Sequence, residues 1–333
     1  MLQVNEDRRL SLLDADPIYK PFRYPWAYDA WLQQQRIHWL PEEVPLADDV
    51  RDWNKVLTDE ERHLLTQVFR FFTQSDVEVN NCYMRHYSRI FKPTEIQMML
   101  AAFSNMETVH IAAYSHLLDT IGMPETEYSA FLHYKEMRDK YEFLQSCSSG
   151  DKYQVARTLA IFGAFTEGLQ LFASFAILLN FPRFNKMKGM GDIITWSVRD
   201  ETLHTVSMIR LFHTFLQENP EIDTPQLRDE LRSCCEKIVE MEDAFVDLAF
   251  EHGDIEGLSA AEVKDYIRAI ADRRMRQLGM EEIYNAPPNP LPWLEASLSG
   301  QEHANFFESR STEYAKAATS GTWEEAFGDA SAA

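Results

Sequence analysis

The chain is short of basic residues, of glycine and of cysteine, and each shortage excludes something. Thirty-two lysines and arginines stand against 53 aspartates and glutamates, a formal net charge of −21. A surface of that sign repels phosphate backbones and anionic headgroups, so neither a nucleic-acid nor a membrane partner is expected. Only 12 glycines and 14 prolines punctuate the 333 residues. No segment sustains the period-2 alternation of a half-buried strand. Leucine, alanine, glutamate, methionine and phenylalanine are plentiful instead, which favours helix. The four cysteines, Cys82, Cys147, Cys234 and Cys235, have no paired metal-ligand or redox spacing and read as free thiols in a reducing compartment. The opening MLQVNEDRRL is polar and charged rather than a hydrophobic leader, so a cytoplasmic protein is expected.

Long apolar runs are scarce too. The candidate for a membrane span is LAIFGAFTEGLQLFASFAILLNF, residues 159–181, but Glu167 and Gln170 sit near its middle. A charge at mid-bilayer costs about 2.5–3.5 kcal/mol or more, and no second span accompanies it. A helix buried in a large bundle, its glutamate facing something inside, is the better reading.

Residues 1–50 are rich in proline and aromatics and read as an irregular surface wrap with one helix near 27–38. Thr58, with Glu61 three residues on, is a capping box opening a long helix. Further helices are predicted over 94–121, 125–147, 152–180, 185–218, 224–251 and 259–278, closed by Gly, Pro or Asn signals. A last short helix is predicted near 301–315, before an Ala/Ser/Gly-rich tail, 316–333, expected to be disordered by itself. The expectation is an all-α fold with one domain over 1–315 and a flexible tail.

The informative residues are polar ones inside apolar helical stretches. In MMLAAFSNMETVHIAAYSHLL, Glu107 and His110 are three apart and share a helix face; in IITWSVRDETLHTVSMIRLF, Glu201 and His204 repeat the pattern. A carboxylate helix precedes each pair: Asp76 lies 31 residues before Glu107, and Glu167 lies 34 before Glu201. That is the layout of a four-helix dimetal bundle of the ferritin-like kind. Carboxylate oxygens with one imidazole per metal suit iron or manganese, and four carboxylates balance two dications. A lone Glu-x-x-His is weak, and a third one, Glu60 and His63, lies in the polar turn TDEERH and reads as a solvated helix start. The six together, at repeating spacing, point to a dinuclear site.

Tyr114 follows His110 by four residues and shares its stripe. On spacing alone it reads equally as a one-electron donor to the metals or as an ordinary core tyrosine. Leu171 and Phe175, four and eight residues past Glu167, read as core beside it.

SNMETVHIAAY, RDETLH, FFTQSDVEVN and FTEGLQLFASF resemble the four metal-helix motifs of the class I ribonucleotide reductase small subunit. HWLPEEV and NFFESRSTEY resemble two further segments of that family, in family order from about 38 to 314. The resemblance implies Asp76, Glu107 and His110 as ligands at one metal and Glu167, Glu201 and His204 at the other. Tyr114 would then be the site of a radical. It implies a transfer route in which Trp39 accepts the electron hole, Asp200 links Trp39 to His110, and Tyr314 relays the hole to a large catalytic subunit that reduces ribonucleotides. The cofactors implied are two metal ions per chain, iron or manganese, and dioxygen or a reduced-oxygen species as oxidant; a flavoprotein activase is a further candidate partner. No nucleotide site is implied on this chain. A homodimer is implied, with the tail, including Trp323 and Phe327, docking on the large subunit. A tyrosine at 114 also argues against storing the oxidising equivalent wholly on a manganese–iron pair. Other readings of the six ligands are a dimetal oxidase or desaturase, an iron store, or a helical scaffold with an incidental polar core.

Overall fold

The structure is a computed structural model and describes residues 10–298. The expected helix near 301–315, the tail, Tyr314, Trp323 and Phe327 lie outside the described residues. The chain divides into two compact units, Met1–Pro290 and Leu291–Ala333, and the first carries every helix and side chain discussed below. Its described residues form helices and their connections, with a single isolated bridge, Ile255 to Leu258, and no strand.

Nine helices matter here: α1 Pro25–Arg36, α2 Ala47–Lys55, α3 Asp59–Cys82, α4 Thr94–Ile121, α5 Lys135–Gln145, α6 Lys152–Arg183, α7 Lys188–Glu218, α8 Pro225–Ala249 and α9 Ala260–Gln277. The predicted capping box opens α3: Thr58 Oγ1 accepts from Glu61 N at 3.2 Å, and Glu61 Oε2 accepts from Thr58 N at 3.0 Å. Helix α4 stops at Gly122, whose φ of 79° is the left-handed conformation that frees two further backbone donors to close the last turn. Helix α4 packs on α1 and α3, while α6 packs on α7, α8 and α9.

Helix α6 is the one segment long and apolar enough to cross a membrane among the described residues, and it is a core helix: every residue from 158 to 181 is buried. A helix apolar on all sides belongs in such an interior. Its neighbours approach to backbone distance. A Cβ added at Gly163 would lie 2.5 Å from Met208 Cβ on α7, and one at Gly168 would lie 2.7 Å from Arg274 Nε on α9.

Three local outcomes differ from the sequence expectation. Residues 125–147 form no single helix: Tyr134 takes extended backbone between a 3₁₀ turn and α5, and its hydroxyl accepts from Arg70 Nη1 at 2.7 Å. Helix α6 is π-wound over Ala160–Gln170, and α3 runs into a π turn at Tyr83–Tyr87; a 3.6-residue hydrophobic period cannot reveal either. Helix α7 begins at Lys188, after Asn185 and Met187 adopt φ of 62° and 51°.

No residue of α7 caps its own N-terminus; α2 does so from outside. Asp49 Oδ2 and Oδ1 accept from Gly189 N at 2.9 Å and Met190 N at 2.8 Å, and Asp52 Oδ2 accepts from Met187 N at 3.0 Å. Both carboxylates are buried against the positive end of the helix dipole. Replacing Asp49 by alanine is therefore expected to destabilise the protein by about 1–3 kcal/mol. Urea unfolding should show a lower midpoint with an unchanged slope, and an unmoved midpoint would remove Asp49 from this role.

Candidate metal centre

The four expected helices converge. Helix α3 supplies Asp76, α4 supplies Glu107 and His110, α6 supplies Glu167, and α7 supplies Glu201 and His204. All six side chains are at most 1% exposed. Their ligand atoms form two groups, Asp76–Glu107–His110 and Glu107–Glu167–Glu201–His204, each within 4.8 Å. Glu107 turns one oxygen to each imidazole: Oε2 lies 3.7 Å from His110 Nδ1, and Oε1 lies 3.1 Å from His204 Nδ1. Glu201 does the same, with Oε1 3.3 Å from His110 Nδ1 and Oε2 3.6 Å from His204 Nδ1. Asp76 lies 3.8 Å from His110 Nδ1, and Glu167 lies 3.8 Å from His204 Nδ1. The separate triads implied by the resemblance are thus joined: Glu107 and Glu201 both face the two halves.

Whether two cations fit can be judged from what the residues lack. Both oxygens of Asp76, Glu107 and Glu201, and Nδ1 of both histidines, are buried without a well-formed hydrogen bond. Buried polar atoms normally find a donor or acceptor, and orphaned carboxylates are especially costly. An interior ring of unpartnered oxygens and nitrogens, all facing one another, suits positive ions. Without them the site strains toward neutrality. Burial, then the neighbouring carboxylates, pushes Asp76 and Glu167 well above the usual carboxylate range. Burial would lower the imidazoles, yet contact with Asp200, Glu107 and Glu201 holds His110 well above its usual value. Glu107 and Glu201 raise His204 to about 10.

The opposite edge of each imidazole is fixed by a second set of bonds. His110 Nε2 lies 3.2 Å from Asp200 Oδ2, which also accepts from Trp39 Nε1 at 2.8 Å. This is the Trp39–Asp200–His110 chain that the resemblance implies. His204 Nε2 lies 3.1 Å from Gln34 Oε1, and Gln34 Nε2 donates to Asp200 Oδ1 at 3.2 Å. Acceptors at both Nε2 atoms place the protons there and turn the Nδ1 lone pairs inward, the arrangement metal-bound histidines need. Gln34, in the QQQ run of α1, offered no signal in the sequence. Neither did Tyr83, whose hydroxyl donates to Glu167 Oε1 at 2.6 Å from the π turn after α3. Both reach the site across contacts between distant segments.

Tyr114 is 2% exposed, its ring centroid 6.3 Å from that of His110. Its hydroxyl donates to Ser197 Oγ at 2.9 Å, and Ser197 in turn donates to Ile193 O at 3.0 Å. Burial and the nearby Asp76 push the phenol well above its ordinary pKa, so it keeps its proton. Phe72 lies against it, centroids 4.7 Å apart, with Phe175 edge-on to Phe72 at 5.5 Å. Phe175 and Leu171 are buried, as expected of core; nothing in the sequence singles out Phe72 or Ser197.

The sequence matches the family described as ribonucleotide reductase, small chain, over residues 16–290. It is 43% identical to the probable ribonucleoside-diphosphate reductase small subunit 376L of Invertebrate iridescent virus 6, over 95% of this chain and 98% of that one. The fold is that of the ribonucleotide reductase R2 subunit from Clostridium botulinum, with a TM-score of 0.81 at 22% identity, covering 90% of this chain and 98% of that one. It is also that of the Rnr4 homodimer of Saccharomyces cerevisiae, with a TM-score of 0.71 at 19% identity over 86% and 91%. The chain belongs to the ribonucleotide reductase small-chain family, whose dimetal members generate the radical used in making deoxyribonucleotides.

Proposed function

We propose that Asp76, Glu107, His110, Glu167, Glu201 and His204 hold two divalent iron or manganese ions, and that Tyr114 carries the radical. The observation that supports this most is the ring of buried, unpartnered carboxylate and imidazole atoms facing one another. When bound, a redox-active metal pair supplied with dioxygen or a reduced-oxygen species provides a one-electron oxidant. Glu107 and Glu201, each turning one oxygen toward either imidazole, would help hold both ions. Four carboxylates offset the charge of two dications, and Asp200 and Gln34 keep the imidazoles aimed.

With such a pair bound, Tyr114 would serve as the one-electron donor, its phenolic proton held until then in the bond to Ser197 Oγ. The Ser197 bond holds the phenol in place, and the wall of Phe72 and Phe175 keeps water from quenching the product. The stored hole leaves through His110, Asp200 and Trp39 and is relayed by Tyr314 to the large catalytic subunit. There it starts ribonucleotide reduction. The chain works as a homodimer, with its tail, through Trp323 and Phe327, docked on the large subunit. A reducing cytoplasm fits both this role and the four buried free thiols.

Metal uptake must displace protons, because Asp76, Glu167, His110 and His204 all hold protons more tightly than free side chains do. Anaerobic loading with ferrous or manganous ion near neutral pH is expected to release protons, with affinity falling as pH falls. Calorimetry in buffers of different ionisation heat measures this, and proton-neutral binding would contradict the assignment. Iron loading followed by air should give a tyrosyl doublet in the electron paramagnetic resonance spectrum that Tyr114→Phe abolishes while two irons remain bound. An unchanged doublet in that variant moves the radical elsewhere. Truncation after Tyr314 is expected to leave the doublet intact but abolish binding to the large subunit, and retained affinity would rule out docking by the tail.

A further inference from the structure

The third Glu-x-x-His motif has its own setting, far from the metal centre. His63 lies in the second turn of α3, 13 residues before Asp76, so about 20 Å of helix separates the two. Its partners come from the turn after α8. His63 Nε2 lies 2.9 Å from Glu251 Oε1. Its ring stacks on that of His252, with centroids 3.9 Å apart and planes 23° from parallel. One ligand atom from each of His63, Glu251 and His252 falls within 4.8 Å of the others. His63 is partly buried, while Glu251 and His252 are exposed, so the cluster opens to solvent on one side.

The backbone explains why two consecutive residues can face one partner. Helix α8 ends at Ala249, and the turn closes when Gly253 N donates to Phe250 O at 2.8 Å, with Gly253 at φ 107°. That conformation favours glycine, and the turn leaves Glu251 and His252 projecting toward α3. The carbonyl end of α8, the negative end of its dipole, lies beside them. Glu60, one turn before His63, adds a further negative charge within reach of His252.

We propose that His63, Glu251 and His252 form a separate binding site for one divalent ion of the zinc type. Two imidazoles and one carboxylate are a donor set that zinc takes readily, water completing the tetrahedron once the exposed His252 ring turns out of the stack to aim a nitrogen at the ion. The chemistry differs from that of the buried centre, where oxygen donors outnumber nitrogen donors and iron or manganese is preferred. An ion here ties the start of α3 to the end of α8 and so braces the helix that carries Asp76. In ion-free protein His63 Nε2 meets Glu251 Oε1 and lies 3.4 Å from Gln67 Nε2, while its ring stacks on that of His252.

The test uses full-length protein whose buried centre is already filled with manganese, freed of excess metal and titrated with zinc chloride. Wild type should bind one additional zinc per chain, retain its two manganese ions, and melt at higher temperature with zinc than without. The double variant His63→Gln/His252→Asn should keep its manganese, bind the additional zinc roughly tenfold or more weakly, and lose the zinc-dependent rise in melting temperature. Glu251→Gln, which keeps the side-chain shape, should weaken zinc less than the double variant does. Cobalt(II) in place of zinc should give the visible absorption of a tetrahedral site in wild type alone. Zinc that binds the double variant as tightly as wild type, or that enters only by displacing manganese, overturns the proposal.

Discussion

Four carboxylates and two imidazoles share an interior from which water is excluded, and few donors satisfy their inward-facing atoms. Moving one carboxylate from water into such a medium has an effective cost of several kcal/mol, and here four lie within a few ångströms of one another. Metal-free, burial and the neighbouring carboxylates favour the protonated forms of Asp76 and Glu167. Two dications relieve it more completely. The helix packing, the caps and the outer hydrogen bonds act as a frame that keeps these groups together against their repulsion.

That frame departs from regular helix beside the site. The π winding of Ala160–Gln170 leaves Thr166 Oγ1 donating to Ile161 O, five residues back, at 3.1 Å, and Arg274 Nε donating to Gly168 O at 2.7 Å. Both bonds satisfy carbonyls that a changed helical register would otherwise strand in an apolar core. The π turn at Tyr83–Tyr87 brings Tyr83 to the same glutamate. Two irregular segments thus meet at Glu167, which sits within the apolar helix α6.

One set of bonds fixes the geometry and, in the proposed function, carries the redox chemistry. Asp200, kept ionised despite its burial by His110, Arg199 and Trp39, orients one imidazole directly and the other through Gln34. The same carboxylate joins an indole to the metal position. A carboxylate so held in a medium of low polarity fixes the orientation and basicity of the imidazole it bonds.

The six metal-binding candidates were legible because helix periodicity is a local rule: Glu-x-x-His places two side chains on one face whatever lies opposite. The capping box at Thr58 and the stop at Gly122 were legible for the same reason, since each involves neighbours in the chain. Trp39 and Asp200 could be given roles only through resemblance to a family, as they meet across a sequence separation of 161 residues. Gln34, Tyr83, Ser197 and Phe72, the capping of α7 by Asp49, and the bridging postures of Glu107 and Glu201 belong to the tertiary structure alone. Each depends on which helices meet and at what separation, and long-range packing, not the spacing of residues along one helix, sets that.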